Sequence, residues 1–434
     1  MPATKTKTPS LVIERATLGN GLRVVMAPDR SGPGVIIAAY YDVGFRSEVP
    51  GRTGFAHLFE HLMFEGSVSL EKGMHDKLIN GNGGILNGFT RNDFTAYFEV
   101  MPSNALELGL FLEADRMRGL RLTDKNLAAQ VAVVEEEVKV NVLNQPYGGF
   151  PWLWVPMVLF DSWPNAHNAY GEFADLEAAT LDDAVDFFDK FYAPGNVVLA
   201  VAGDVDPTEC LALIEKHFGD IPARAVPPTA DAAEALPEAE KREERVDPRA
   251  PQPALAISYR TPDPVDQFED YVALVLAMSV LGDGDASRLY QRLMKQDRTA
   301  SHMMSRVGLL EGPFEVRGPA MAQLAVWHPG EVDADRVLKA VDEEVDRAAD
   351  GIDAEELDRF RNDFLASYLT AIDSLSSRGM LTACLELMRG RAELINDIPA
   401  VIADVTPERA SAVVGEWLRP NRRAVLEWKS GVGA

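Results

Sequence analysis

Cysteine is scarce in this sequence. The chain has 434 residues and two cysteines, Cys210 and Cys384, which stand far apart. Two isolated thiols exclude a disulfide framework and a metal site built from thiolates. So low a cysteine content is typical of a reducing compartment.

Long apolar runs are also missing. No stretch approaches the roughly eighteen uncharged apolar residues that a membrane-spanning helix needs. Residues 1–7 carry two lysines but no apolar run follows them, so no secretory signal is predicted. We therefore expect a soluble, cytoplasmic protein that has no membrane partner.

Positive charge is the third deficit. The chain has 42 Lys and Arg against 67 Asp and Glu, and its net charge is −25. Phosphate backbones need a basic surface, so nucleic acid is not expected as a partner. The hydrophobic content of 47% is that of a globular protein, and the length exceeds the usual size of one core. Two domains are the expected organisation.

Histidine is rare too, with seven in the chain, yet two of them stand four residues apart as His57 and His61, with Glu60 between them. Positions i and i+4 lie on one face of a helix, so both imidazoles point the same way. Two imidazoles supply two of the three protein ligands of a catalytic zinc. Glu60, three residues after His57, is on the same side and can reach a water on the metal. The order His-x-x-Glu-His inverts the commoner zinc-protease motif and defines the inverzincins.

A pair of surface histidines is the simpler interpretation of this spacing. It fits poorly because apolar residues surround the motif almost completely: Phe55, Leu58, Phe59, Leu62, Met63 and Phe64. Such a helix is buried, and buried histidines and glutamates need partners. A metal site is therefore favoured.

The chain divides into three parts. Residues 1–225 alternate strands and helices and carry the motif, residues 226–250 form a proline-rich linker, and residues 251–434 form a second domain. A glycine-rich loop at 80–84 lacks the Gly-Lys-Ser/Thr ending of a phosphate-binding loop, which argues against nucleotide binding.

The second half repeats the first. Thr180 stands fourteen residues before Pro194, and Thr406 stands fourteen before Pro420; each proline leads through an asparagine into an apolar strand. At the same offset, the helix of His57 corresponds to residues 287–293, which hold no metal ligand. The pattern predicts an α+β fold of two duplicated halves, with metal chemistry in the first only.

Spacing does not choose the third metal ligand. The candidates are the remaining histidines and seven glutamates: Glu65, Glu99, Glu107, Glu113, Glu135, Glu136 and Glu137.

Several motifs together resemble the pitrilysin/insulinase family of zinc peptidases, which includes the mitochondrial processing peptidase. They are the His-x-x-Glu-His motif and, in this order, Gly84 to Thr90, Asp93 to Phe98, Val133 to Glu137 and Asn144 to Gly148. The resemblance covers essentially the whole chain. It implies two halves in a clam-like arrangement, each a mixed sheet with helices on one face.

The resemblance also implies the site. One zinc ion per chain is held by His57, His61 and Glu137, with Glu136 as the alternative, and Glu60 is the general base. The segment from Asn87 to Tyr97 matches the family's edge strand, to which an extended peptide adds as a further strand. This assigns peptide binding to Asn87, Phe94, Thr95, Ala96 and Tyr97.

Three positions depart from the family pattern. The family has a glutamate seven residues before the third zinc ligand, where it supports the zinc ligands. In this chain that position is Gln130. Met294 and Ser301 replace an arginine and a tyrosine that grip the substrate. A chain with the metal half intact and this pair missing resembles the catalytic subunit of a two-chain endopeptidase. Its expected partner is a sister subunit without the zinc motif, with a homodimer as the alternative. A non-hydrolytic assembly or peptide-binding subunit of the same fold is the second interpretation.

Overall fold

A computed structural model describes residues 10–431; the N-terminal segment considered above for a secretory signal lies outside this range. The strands are β1 (Glu14–Thr17), β2 (Arg23–Pro28), β3 (Gly34–Tyr41), β4 (Ile85–Thr90), β5 (Thr95–Pro102), β6 (Val197–Gly203), β7 (Lys241–Asp247), β8 (Ala254–Arg260), β9 (His302–Gly308), β10 (Met321–Trp327) and β11 (Arg423–Ser430).

The helices lie mainly between these strands. They are α1 (Phe55–Leu62), α2 (Met74–Gly81), α3 (Leu106–Arg118), α4 (Asp124–Val138), α5 (Trp154–Leu159), α6 (Trp163–Ala166), α7 (Phe173–Glu177), α8 (Leu181–Phe191), α9 (Pro207–Phe218), α10 (Phe268–Gly282), α11 (Ala334–Asp350), α12 (Ala354–Asp373), α13 (Leu375–Arg389), α14 (Leu394–Ala403) and α15 (Pro407–Trp417). Turns of π-helix span Lys139–Leu143 and Tyr290–Gln296.

Two mixed sheets form the framework. The first has the order β1-β2-β6-β3-β5-β4, and the second has the order β7-β11-β8-β10-β9. The second order repeats the first without β1, and the parallel pairs β2–β6 and β7–β11 occupy matching places. Thr180 and Thr406 cap the helices that precede the matching strands β6 and β11. The predicted α+β fold of two duplicated halves is confirmed.

The element order corrects one correspondence within the repeat. The first α-helix after the central strand is α1 in the first half and α10 in the second. The counterpart of the His57 helix is therefore α10 and not residues 287–293. The segments between matching strands differ in length in the two halves. Residues at one constant sequence offset therefore do not correspond along the whole repeat. Helix α10 contains no histidine.

The predicted linker, residues 226–250, includes a strand at its end. Residues 222–237 have no regular structure, but β7 lies within the predicted range and pairs in parallel with β11 at the edge of the second sheet. The second sheet therefore starts ten residues before the predicted domain boundary.

Each half covers a face of the other half's sheet. Helix α13 of the second half packs on β3 and β6, with Ala383, Cys384 and Leu387 against Ile36, Ala38 and Ala200. Helix α5 of the first half packs on β8 and β11, where Val155 and Leu159 join the second core. Strand β3 consists almost entirely of apolar residues because both of its faces are covered.

A buried polar joint also links the halves. Arg46 lies 3.0 Å from both carboxylate oxygens of Asp93 and donates to the backbone carbonyls of Gly318 and Pro319. In residues 10–431, no helix is long and apolar enough to cross a membrane.

Candidate metal centre

Helix α1 carries the two histidines and is fixed at its N-terminus. Gly54 precedes the helix with a left-handed φ of +81°, and a Cβ there would lie 2.8 Å from the carbonyl oxygen of Tyr170. Only glycine suits this backbone and this close approach. The carboxylate of Glu48 accepts hydrogen bonds from the backbone N–H groups of Gly54 and Ala56. The first turn of the helix, and with it His57, is held in place.

Helix α4 brings Glu137 to the histidines. Thr123 caps its N-terminus, and the helix passes at its other end into the π-helical turn Lys139–Leu143. The Glu137 carboxylate lies 3.3 Å from His61 Nε2 and 3.7 Å from His57 Nε2. One ligand atom from each of the three residues falls within 4.8 Å of the others.

The other candidate glutamates have different partners or face solvent. Glu65 binds Lys72 and Gln130, Glu107 binds Lys216, and Glu135 binds Lys139. Glu99 and Glu113 lie with His75 and Arg116 in a separate buried cluster. Glu136, the alternative third ligand, is exposed. The geometry favours Glu137.

The triad fits a zinc ion. Tetrahedral zinc holds nitrogen and oxygen ligands at about 2.0–2.1 Å, which places the ligand atoms about 3.3 Å apart. The two distances to Glu137 are close to this value. Burial, followed by the neighbouring His61, lowers the pKa of His57 to about 4, so its imidazole is neutral. The hydrogen bond to His61 lowers the pKa of Glu137. A neutral imidazole and a carboxylate are the protonation states that bind metal.

Glu60 lies in the same cavity and is oriented by Thr90. The Thr90 hydroxyl donates a hydrogen bond of 2.7 Å to Glu60 Oε2. Burial raises the pKa of Glu60 above its ordinary value, whereas the hydrogen bond from Thr90 opposes this rise. A raised pKa suits a carboxyl group that accepts and returns a proton near neutral pH.

The cavity around these residues has a volume of about 400 Å³ and is lined by both halves. The first half contributes His57, Glu60, Glu137, Arg91 and several aromatic side chains. One of these is Tyr170, whose ring centroid lies 5.3 Å from that of His57. The second half contributes Arg306 and Leu310. Neither Tyr170 nor Arg306 was predicted from the sequence, because neither belongs to a local motif.

The predicted peptide-binding segment is only partly at an edge. β4, with Asn87, is the outer strand of the first sheet, whereas β5 lies between β3 and β4. Phe94, Thr95, Ala96 and Tyr97 are fully buried. Placing these four residues on the edge strand was wrong, because Phe94 lies in the turn between β4 and β5, and both hydrogen-bonding sides of β5 are taken. Asn87 alone keeps the predicted position.

The three positions that depart from the family pattern lie away from the metal triad. Gln130 is buried on α4, and its side-chain amide donates a hydrogen bond of 2.6 Å to Glu65. Met294 is in the π-helical turn Tyr290–Gln296, and Ser301 precedes β9. Arg306 lies five residues beyond Ser301, on β9 itself. The supporting role of Gln130 stays a prediction.

Two M16 family descriptions match successive parts of the chain. The family description "Insulinase (Peptidase family M16)" matches residues 23–147, and the description "Peptidase M16 inactive domain" matches residues 178–364. The chain belongs to the pitrilysin/insulinase family, M16. The first M16 match contains His57, Glu60, His61 and Glu137, whereas the second begins before α8 of the first half and runs to residue 364 in the second half.

Individual M16 relatives agree with this assignment. The zinc protease PqqE of Helicobacter pylori is 30% identical over 314 residues, which span 67% of this chain and 66% of that protein. A Mycobacterium tuberculosis protein named as an uncharacterised zinc protease is 27% identical, over 93% of this chain and 90% of its own length. The crystal structure of a protease from Helicobacter pylori superposes with a TM-score of 0.88 at 25% identity, and covers 96% of this chain and 100% of that one. The chain has the fold of M16 zinc proteases.

Proposed function

We propose that this chain is a zinc-dependent endopeptidase that hydrolyses short or unfolded peptides, with one zinc ion held by His57, His61 and Glu137. One observation carries the proposal: ligand atoms of His57, His61 and Glu137 converge within 4.8 Å of one another beside the half-buried carboxyl group of Glu60. Zinc in this place would supply Lewis acidity, which polarises a carbonyl group and acidifies water.

Glu60 acts as the general base. Its carboxylate takes the proton of the attacking water and returns it to the nitrogen of the leaving amine. Thr90 fixes the orientation of this carboxylate, and burial strengthens its hold on the proton. Glu60 is therefore a proton carrier and not a metal ligand.

The outer strand β4 binds the substrate backbone. Its free edge offers N–H and C=O groups to an extended peptide, which gives affinity with little demand on sequence. β4 also carries Thr90 and ends beside Glu60, so a peptide paired along it runs into the cavity. Pairing of this kind requires an extended chain, which favours short or unfolded peptides.

A two-chain assembly completes the proposal. Met294 and Ser301 stand where the family has a substrate-gripping arginine and tyrosine, so a sister subunit without the zinc motif would supply the pair. A homodimer is the alternative arrangement. The chain's match to a domain described as inactive supports a second candidate function, a peptide-binding subunit that does not hydrolyse. That match covers residues 178–364 and contains none of His57, Glu60, His61 and Glu137.

The test is cleavage of a quenched fluorescent peptide library by the purified chain with one equivalent of zinc, beside Glu60→Gln. We expect Glu60→Gln to keep its zinc, measured by elemental analysis, and to lose cleavage. Glu137→Gln should lose zinc, whereas the matched change Glu136→Gln at the exposed neighbour should not. Zinc binding without cleavage at any protein concentration, even after addition of a candidate sister chain, would favour the non-hydrolytic function.

A further inference from the structure

Two guanidinium groups face the cavity of the metal triad without a carboxylate partner. Arg91 follows β4, and Arg306 lies on β9. Within residues 10–431, their side-chain hydrogen bonds go to backbone carbonyls: Arg91 to Thr90, and Arg306 to Leu310 and Glu311. The Arg91 guanidinium also stacks 4.7 Å over the Phe89 ring, which lines the same cavity. Half-buried arginines are usually paired with carboxylates, so these two are available to a ligand.

The local charge around Arg306 is uncompensated. Burial lowers the pKa of its guanidinium, Glu311 opposes the lowering and Arg91 adds to it, but arginine stays charged at any physiological pH. Burial raises the pKa of Glu311 to about 8, so this carboxyl is mostly protonated at pH 7. Two like charges near one cavity are stabilised when an anion enters it.

The two guanidinium groups place positive charge at one region of a chain whose net charge is −25. Such a region selects an anion locally, whereas the rest of the surface repels a strongly acidic peptide.

We propose that Arg91 and Arg306 form a carboxylate-binding subsite, which selects peptides with a carboxylate close to the scissile bond. The subsite rests on the proposed function, because it specifies the substrate class of the same cavity. The guanidinium group suits this role, since its planar N–H donors match the two oxygens of a carboxylate.

The position of the two arginines explains why the carboxylate must lie near the reacting bond. Arg91 directly follows Thr90, whose hydroxyl contacts Glu60. Arg306 approaches from β9, which is the counterpart of β4 in the second sheet and also an outer strand. A peptide paired along β4 would pass Arg91 and enter the cavity that Arg306 also lines. The carboxylate comes from an Asp or Glu side chain or from the peptide's C-terminus.

The experiment compares matched peptides on the full chain with zinc. One set varies Glu against Gln at each position flanking the cleaved bond, and a second set compares a free C-terminal carboxylate with its amide. The expected result is that one carboxylate raises kcat/KM about tenfold over its neutral counterpart, the effect of a hydrogen-bonded charge pair. The set that shows the preference identifies the source of the carboxylate.

Variants assign the preference to the two arginines. Arg91→Gln and Arg306→Gln should bring the ratio of the two kcat/KM values close to one. Arg306→Lys keeps the positive charge and should retain part of the ratio of the two kcat/KM values. It serves as the second variant at this position if Arg306→Gln disturbs the turn at 308–312. The control Arg336→Gln, an exposed arginine on α11, should leave the ratio unchanged. Fluorescence anisotropy with the Glu60→Gln protein gives the same ratio as Kd values, without hydrolysis.

The outcomes separate this subsite from the peptidase proposal. Cleavage with no carboxylate preference, or a preference that survives in the double Arg→Gln variant, overturns the subsite and leaves the peptidase standing. A carboxylate preference in Kd that the variants abolish, without cleavage by the unmodified chain, keeps the subsite and overturns the peptidase. Equal Kd values for all the peptides would sink the subsite whether or not cleavage occurs.

Discussion

The Glu48 carboxylate accepts a hydrogen bond of 2.9 Å from the backbone N–H of Ala56, in the first turn of the helix that carries His57. A second bond of 2.9 Å comes from Gly54 to Glu48 Oε2, and His167 Nε2 lies 3.3 Å from the same oxygen. Burial raises the pKa of Glu48, and the hydrogen bond from His167 opposes this rise. Glu48 thus fixes the helix from which the two imidazoles project.

We expect Glu48→Ala to lower the free energy of unfolding by about 1–3 kcal/mol, because it leaves two buried N–H groups without an acceptor. Zinc affinity should fall as well, since His57 lies one residue beyond Ala56. Urea denaturation and competition with a zinc chelator measure the two effects. Glu48→Gln keeps one acceptor oxygen and should lose less of each. Unchanged zinc affinity in Glu48→Ala would show that the triad holds its geometry without this cap.

A single substitution in the Arg46–Asp93 ion pair should also lower the free energy of unfolding. Both side chains are buried, and Arg46 also binds carbonyl groups of the second half. Among residues 10–431, Arg46→Leu leaves buried Asp93 with the backbone N–H of Arg317 as its remaining hydrogen-bond donor, and should cost about 3–5 kcal/mol. The double change Arg46→Leu with Asp93→Leu should cost less than the sum of the two single changes. If the loss of unfolding free energy in the double variant equals the sum of the two single losses, the two residues are not coupled.

The packing of α13 on β3 depends on a glycine. A Cβ at Gly379 would lie 2.3 Å from Cγ2 of Ile36, closer than any van der Waals contact. Gly379→Ala should therefore destabilise the chain by about 1–3 kcal/mol, although alanine is the better helix former. Shortening the opposing side chain, Ile36→Ala, should recover part of the loss. The control Gly351→Ala, where nothing lies within 4 Å, should cost little in the same thermal unfolding assay.

Glu311 predicts a pH dependence of stability. Its two carboxylate oxygens are buried without a hydrogen-bond partner among the residues from 10 to 431, and burial raises its pKa to about 8. Between about pH 4.5 and 8 the folded chain keeps a proton here that the unfolded chain releases, so stability falls as the pH rises through this window.

Glu311→Gln removes that loss of stability. The free energy of unfolding of this variant, relative to that of the unmodified chain, should therefore increase from pH 5 to pH 8. Denaturation curves at each pH measure the difference, and Glu238→Gln at an exposed position is the control. Other buried carboxyls, such as Glu113, titrate in all three proteins and cancel in the comparison. Parallel stability curves for Glu311→Gln and the unmodified chain would refute the prediction.

The local features of the site were predictable and the long-range ones were not. His57, Glu60 and His61 follow from helix periodicity, which needs no knowledge of the fold. Glu137 needed the family resemblance, because 76 residues separate it from His61. Thr95, Ala96 and Tyr97 were misplaced because the order of strands in a sheet depends on pairing with distant segments. Arg306 was missed for a related reason: it reaches the cavity from the second half, and only the packing of the halves reveals it.

The reciprocal cover of the two sheets has a consequence for synthesis on the ribosome. The face of the first sheet formed by Ile36, Ala38 and Ala200 is closed by α13, which is translated about 170 residues after β6. At about 5–20 residues synthesised per second, this apolar face stays uncovered for on the order of ten seconds or more before α13 is made. Throughout that interval the nascent first half presents a bare sheet to its surroundings, and shielding by a chaperone would matter most then.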